Sequence, residues 1–201
     1  MGIKVLSLFD GMGCGQIALD QLGIKVDKYY ASEIDKYAIQ VTQKNYPNTI
    51  QVGDICELDP QDFQDVDLIM GGSPCQGFSF AGKQLAFDDP RSKLFFEFVR
   101  MVEGIKPKYF LLENVRMKKE YLQVITDMLG VDPIFINSAL VSAQSRQRYY
   151  WTNISNIKEP KDRGIVLKDI LENDFNSEKD KSYCIDANYY KGASVEQYKK
   201  K

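Results

Sequence analysis

The stretch KVLSLFDGMGCGQIALDQL, residues 4–22, decides the fold. Lys4–Phe9 is a short apolar run of the kind that forms a buried strand. Asp10-Gly11-Met12-Gly13 breaks the run, and Cys14–Leu22 resumes with helical spacing. Glycines let a ligand approach the backbone at such a turn, and the N-terminus of the helix behind it favours an anion. A pyrophosphate or a carboxylate would fit there. A glycine turn without a ligand is equally compatible with this stretch alone.

The alternation continues outward. Lys28–Glu33 reads as a second strand ending in an acid, and Asp35–Asn45 as a helix stopped before Pro47. Asp67–Met70 is a strand running into the turn Gly71-Gly72-Ser73-Pro74. Ser92–Val102 carries Leu94, Phe95, Phe98, Val99 and Val102 at helical spacing. A strand follows at Tyr109–Leu112, then a helix to about Leu129 and strands near Ile134–Val141 and Arg148–Thr152. Strand and helix in steady alternation predict an α/β fold, Rossmann-like and doubly wound, with a mostly parallel sheet covered by helices on both faces. Beyond Asn156 the pattern weakens: Ile165–Leu171 reads as one short helix, and Lys199–Lys201 as a ragged end. The expected organisation is a catalytic domain over residues 1–156, with 157–201 an irregular tail or the start of a variable region, and a sheet incomplete at its C-terminal end.

The 201 residues suffice for one domain with a real core, and 44% hydrophobic with 27% charged residues is an ordinary globular balance. A net charge of −2 and a pI near 5.3 argue against a protein that coats nucleic acid, while leaving room for a local basic cleft. There is no histidine, so acid–base chemistry falls to carboxylates, thiols and cations. Cys14, Cys56, Cys75 and Cys184 are widely spaced, which argues against a metal site and for reduced thiols in a cytoplasmic protein. No apolar run approaches the ~18 residues of a membrane span.

Five further places carry chemistry. Glu33, about twenty residues past the glycine turn, can accept hydrogen bonds from a ribose. Asp54 in Gly53-Asp54-Ile55 can take an exocyclic amine while Ile55 packs on the ring. Cys75, in Gly71-Gly72-Ser73-Pro74-Cys75-Gln76-Gly77, stands at the C-terminal end of a strand, where such folds bind ligands, although most free cysteines are small core residues. Glu113-Asn114 ends an apolar strand; Glu113 is a candidate for sharing a proton with a substrate nitrogen, and Asn114 for capping the next helix. Arg146 and Arg148 share a face if their segment is a strand, as suits anion or carbonyl recognition.

Taken in order, these segments resemble the cytosine-5 DNA methyltransferase family. The resemblance rests on the Phe-x-Gly-x-Gly turn, Ser32-Glu33-Ile34-Asp35, Gly53-Asp54, Pro74-Cys75-Gln76, Glu113-Asn114-Val115 and Gln144-x-Arg146-x-Arg148. Asp10 and Tyr149-Tyr150-Trp151 are worded most like the branch that includes the animal de novo enzymes. The resemblance implies methyl transfer from S-adenosyl-L-methionine to carbon-5 of a cytosine flipped out of double-stranded DNA. In that scheme Cys75 is the nucleophile, and Glu113, Arg146 and Arg148 are its catalytic partners. Phe9, Asp10, Gly11, Gly13, Glu33, Ile34, Asp54, Ile55 and Pro74 line the cofactor site, and Gln76–Arg91 is a mobile lid.

The family's target-recognition region and closing Gly-Asn motif are not read in these residues. That makes a second polypeptide supplying target recognition an expected partner. A split or truncated enzyme, an inactive fragment and a non-catalytic binding subunit stay open as alternatives, as does an RNA substrate. A nicotinamide-dependent oxidoreductase would share the glycine turn and Glu33 but leave Pro74-Cys75-Gln76 unexplained.

Overall fold

The computed structural model describes residues 2–74, 90–172 and 177–184. The chain divides into two compact units, Met1–Phe135 with Arg148–Lys158, and Ile136–Gln147 with Glu159–Lys201. The segment Ile136–Gln147, read from sequence with the first domain, groups with the second unit.

The strands are β1 (Ile3–Leu8), β2 (Val26–Ser32), β3 (Ile50–Gln51), β4 (Leu68–Gly71), β5 (Tyr109–Val115), β6 (Ile134–Asn137) and β7 (Gln147–Thr152). The helices are α1 (Cys14–Gln21), α2 (Lys36–Asn45), α3 (Pro90–Ile105) and α4 (Lys119–Leu129). The sheet runs β3-β2-β1-β4-β5-β7-β6. The β1, β2, β3, β4 and β5 pairings are all parallel, whereas β7 lies antiparallel to β5.

Alternate residues of the strands feed two separate cores, as the period of two in a strand requires. Leu6, Leu8, Ile69, Phe110 and Leu112 pack with Phe95, Phe98 and Met101 of α3 and Ile125 of α4. Val5, Tyr29, Ala31 and Leu68 point the other way and pack with Leu19 of α1. Both faces are therefore covered, the doubly wound arrangement expected. From β1 the chain winds outward through β2 and β3, then crosses back to lay β4 and β5 on the other side. The reversal makes β1 and β4 the switch point, with a crevice beyond their carboxyl ends. Gly71 permits the close approach there: a Cβ on it would lie 2.7 Å from the Leu8 carbonyl oxygen.

Three elements differ from expectation. The strand predicted to end at Leu112 continues as Glu113, Asn114 and Val115, because these pair with Tyr150, Tyr149 and Arg148 of β7. The strand expected over Ile134–Val141 stops at Asn137, whose side chain accepts a hydrogen bond from Ala139 N (3.1 Å) and opens the 3-10 turn Ser138–Leu140. The short helix expected near Ile165 is only a 3-10 turn, Leu167–Asp169.

The second unit is held by polar contacts. Lys181 Nζ donates to the carbonyls of Ala139 (2.6 Å), Ser142 (3.1 Å) and Ile165. These contacts use all three donors of an ammonium. Ser182 N donates to Ala143 O at 2.7 Å, and Ser145 N to Ser182 O at 2.9 Å. Among the described residues no helix is long and apolar enough to cross a membrane.

Candidate active site

The turn after β1 is built from left-handed residues: Phe9 (φ 58°), Gly11 (φ 62°) and Gly13 (φ 78°). For Phe9 this conformation costs about 1–3 kcal/mol and persists only if its surroundings enforce it. Its ring packs against the main core, and the next amide, Asp10 N, donates to Ser32 O at 3.1 Å. From the end of β2, Glu33 Oε2 accepts from Gly11 N (2.8 Å), while Oε1 accepts from Ile34 N (2.8 Å) and Asp35 N (2.9 Å). Thr42 of α2 donates to Gly11 O at 3.2 Å from the flank.

Gly13 caps α1 without a side-chain hydrogen bond, leaving the first amides of the helix facing the turn. By contrast α2 is closed by Asp35, which accepts from Tyr37 N (2.8 Å) and Ala38 N (3.0 Å). Nothing lies within 4 Å of a Cβ built on Gly11 or on Gly53. The open space beside a carboxylate, an uncapped helix and the 75% exposed Ile34 fits a nucleoside bearing a carboxylate, such as S-adenosyl-L-methionine.

Asp10 turns away from this space. It is 8% exposed; Oδ1 accepts from the Tyr29 hydroxyl at 2.7 Å, and the buried Oδ2 has no hydrogen-bond partner. Burial raises the Asp10 carboxyl above its ordinary value, with the Glu33 charge adding, against the opposing hydrogen bond from Tyr29. Burial beside that carboxyl pushes the Tyr29 phenol up as well. A carboxyl whose pKa is raised in the folded state favours folding when protonated, and this contribution is lost as pH rises through the folded value. Asp10→Asn is therefore expected to stabilise the protein by about 1 kcal/mol once Asp10 would be ionised, and by little at pH 4. Thermal unfolding of both proteins at pH 4 and pH 8 checks this; an equal difference at the two pH values contradicts it.

Asp54 starts a 3-10 turn, Ile55–Glu57, by accepting from Cys56 N at 2.9 Å, and the preceding Gly53 carbonyl accepts from Ser32 Oγ at 2.7 Å. Arg100 pins this turn to α3 through the carbonyls of Ile55 and Leu58, both at 2.9 Å. As a result Ile55 is 3% exposed, inside the core, and the apolar surface offered outward comes from Ile34.

Beyond β4 the backbone of Gly72-Ser73-Pro74 bends over β5. A Cβ on Gly72 would stand 3.2 Å from Glu113 Oε2. Glu113 Oε1 accepts from Arg148 Nε at 2.7 Å, both side chains being largely sheltered. The antiparallel register produces this contact, since it sets Arg148 opposite Val115 at the carboxyl end of β5. Asn114 does not cap a helix. It is 1% exposed, donates from Nδ2 to Ser73 Oγ (3.2 Å), and accepts at Oδ1 from Val115 N (2.8 Å). Half-buried Pro74 is the last described residue of this turn; Cys75 and Gln76–Asp89, the proposed nucleophile and most of the proposed lid, lie outside the described residues.

Arg146 lies one residue before β7, which begins at Gln147. Its backbone N donates to Asn137 Oδ1 at 3.0 Å, and its Nη1 contacts Cys184 Sγ at 3.0 Å. Sequence reasoning missed Tyr29, Thr42 and the Ser73–Asn114 bond. For Tyr29 and Asn114 the usable signal is a polar residue inside an otherwise apolar strand; Thr42 lies on α2 and Ser73 in the turn after β4.

A family model described as C-5 cytosine-specific DNA methylase matches residues 3–200. A type II methyltransferase of Lactococcus lactis subsp. cremoris, M1.ScrFI, is 39% identical over 158 residues, which cover 73% of this chain and 40% of that protein. The orphan methyltransferase M.Rho11sI of Bacillus phage rho11s is 32% identical over 185 residues, 86% of this chain and 34% of that protein. Among solved structures, a DNMT2 mutant of Spodoptera frugiperda superposes with a TM-score of 0.68 at 28% identity, covering 87% of this chain and 61% of that one. The chain thus spans two fifths or less of the length of those two curated relatives.

Proposed function

The chain belongs to the C-5 cytosine-specific DNA methylase family, and on that premise we propose that it forms the catalytic part of an enzyme that methylates carbon-5 of cytosine in double-stranded DNA. The observation that carries this reading is the Glu113–Arg148 pair, held at 2.7 Å beside the Gly72 turn that leads to Cys75.

The reacting carbons of cytosine are inaccessible in a stacked duplex, so the base is flipped into the crevice. The Cys75 thiolate adds to carbon-6, breaking the carbon-5–carbon-6 double bond and making carbon-5 nucleophilic. Glu113 holds the ring nitrogen at position 3 and shares a proton with it as charge develops. Arg148 fixes the carboxylate's orientation through Nε, and Arg146 and Arg148 engage the base carbonyl or the neighbouring phosphate. Bound S-adenosyl-L-methionine supplies the methyl group. Loss of the carbon-5 proton then restores the double bond and releases the thiol. Phe9, Asp10, Gly11, Gly13, Glu33, Ile34, Asp54, Ile55 and Pro74 form the cofactor site in this reading. Asp10 and Ile55 shape it from within, and the remaining residues line it. Residues 157–201 are the start of a variable region or an irregular tail in this reading, and a second polypeptide supplies target recognition.

Calorimetric titration of the chain with S-adenosyl-L-methionine tests the reading. Binding is expected, and Glu33→Ala should weaken it about tenfold, the effect of about 1.4 kcal/mol of lost hydrogen bonding. Micromolar binding of a nicotinamide dinucleotide in its place would overturn the assignment. Unchanged affinity in Glu33→Ala would remove only the ribose role.

A further inference from the structure

An acidic chain concentrates cations at one place beside the proposed site. β5 ends at Val115, and the residues that follow are Arg116, Met117, Lys118 and Lys119, at the carboxyl end of the strand carrying Glu113. Met117 is buried at 5% exposure, whereas Arg116 and Lys119 are exposed and Lys118 is half-buried. The buried methionine anchors the segment and the basic side chains flank it. Arg148 lies opposite Val115, with its charge paired to Glu113. Among the described residues close to this run in sequence, the carboxylates are Glu113, paired with Arg148, and Glu120 in the first turn of α4. In a chain of net charge −2, this is a local positive field at the mouth of the crevice.

The physics of the helix sharpens the observation. Lys118 is the N-cap of α4 and makes no side-chain cap hydrogen bond; Lys119 is the first helical residue. Serine, threonine, aspartate and asparagine are favoured at an N-cap, and cations there oppose the helix dipole. Two lysines at this end therefore weaken the helix; α2 also begins with a lysine, Lys36, but its N-cap Asp35 accepts from Tyr37 N and Ala38 N. A polyanion lying across the segment would offset that cost and use the cations.

We propose that Arg116, Lys118 and Lys119 form a docking site for the phosphate backbone of double-stranded DNA, beside the position where a flipped base meets Glu113. The proposal rests on the methyltransferase reading for its ligand and deepens it. Phosphate contacts of this kind position a duplex without reading its sequence, and each one adds to the salt dependence of binding.

The test is fluorescence anisotropy of a labelled duplex oligonucleotide with the full chain over a series of salt concentrations. Changing all three residues to glutamine should weaken duplex binding by roughly ten- to a hundredfold at low salt and flatten the log–log salt slope by about two to three. Lys118→Ser should raise the thermal midpoint by restoring a cap, yet weaken duplex binding. An unchanged slope in the triple variant overturns the proposal. So does no duplex binding by the wild-type chain, or binding confined to a transfer-RNA hairpin. Lys118→Ser that gains stability with unaltered duplex affinity overturns the part assigned to Lys118. Titration with S-adenosyl-L-methionine separates the two readings. A chain that binds the cofactor but fails these tests loses only the docking site, whereas one that binds duplex but not the cofactor puts the methyltransferase reading in question.

Discussion

Replacing Cys75 with serine is expected to lower methyl transfer by at least about three orders of magnitude, the scale seen when an enzyme loses its nucleophile. A thiol is partly ionised near neutral pH and intrinsically nucleophilic, whereas a hydroxyl needs a base to activate it. In many serine enzymes that base is an imidazole, and this chain contains no histidine. Glu113 is the carboxylate assigned to the base in this reading, but Arg148 engages one of its oxygens at 2.7 Å. A serine at position 75 would therefore stay protonated and inert. Incorporation of labelled methyl groups into duplex DNA by the active assembly, with cofactor binding measured in parallel, checks the outcome. Turnover at the wild-type rate in the serine variant would show that the adduct forms elsewhere or not at all.

Glu113→Gln should cost about a hundred- to ten-thousandfold in turnover, the range assigned to a positioned general acid, while changing cofactor affinity less than twofold. The amide keeps the size of the carboxylate and can still accept from Arg148 Nε, so the β5–β7 register should hold. What it loses is the negative charge facing Arg148 and the capacity to share a proton with the base. Steady-state kinetics alongside thermal unfolding separates that chemistry from simple destabilisation: a variant that unfolds several degrees earlier and loses activity in proportion would point to a structural role for the pair.

Most of the first unit was legible from residues 4–22 outward, because a doubly wound sheet leaves long apolar strands with glycine turns between them and the helices. Cys14–Gln21, Lys36–Asn45 and Lys119–Leu129 all follow from spacing and stop signals. β3, with only two residues, is too short to show alternation. The direction of β7 was also out of reach: strand direction depends on which edge the chain returns to, and no residue of Gln147–Thr152 encodes it. For the candidate site, the residue types were readable but not their partners. Glu33 is anchored by three backbone amides, and Asp10 by a tyrosine nineteen residues away in sequence. The Gly11 amide reaches Glu33, and Tyr29 reaches Asp10, through the parallel pairing of β1 and β2, which no local pattern reveals.

The reversed strand has a mechanical consequence. β1, β2, β4 and β5 bring their last residues to the crevice, but β7 brings one of its first, Arg148, and then carries its weight away from the chemistry. Three residues on, about 10 Å at strand rise, Trp151 is fully buried and its indole nitrogen donates to Thr126 Oγ1 of α4 at 3.0 Å. The strand is therefore fixed in the core at Trp151 and presents Arg148 to Glu113 from its other end. Trimming Trp151 would leave every reacting group in place by identity and still spoil the aim of the guanidinium, so inactivating changes should be sought at this buried aromatic as well as in the crevice.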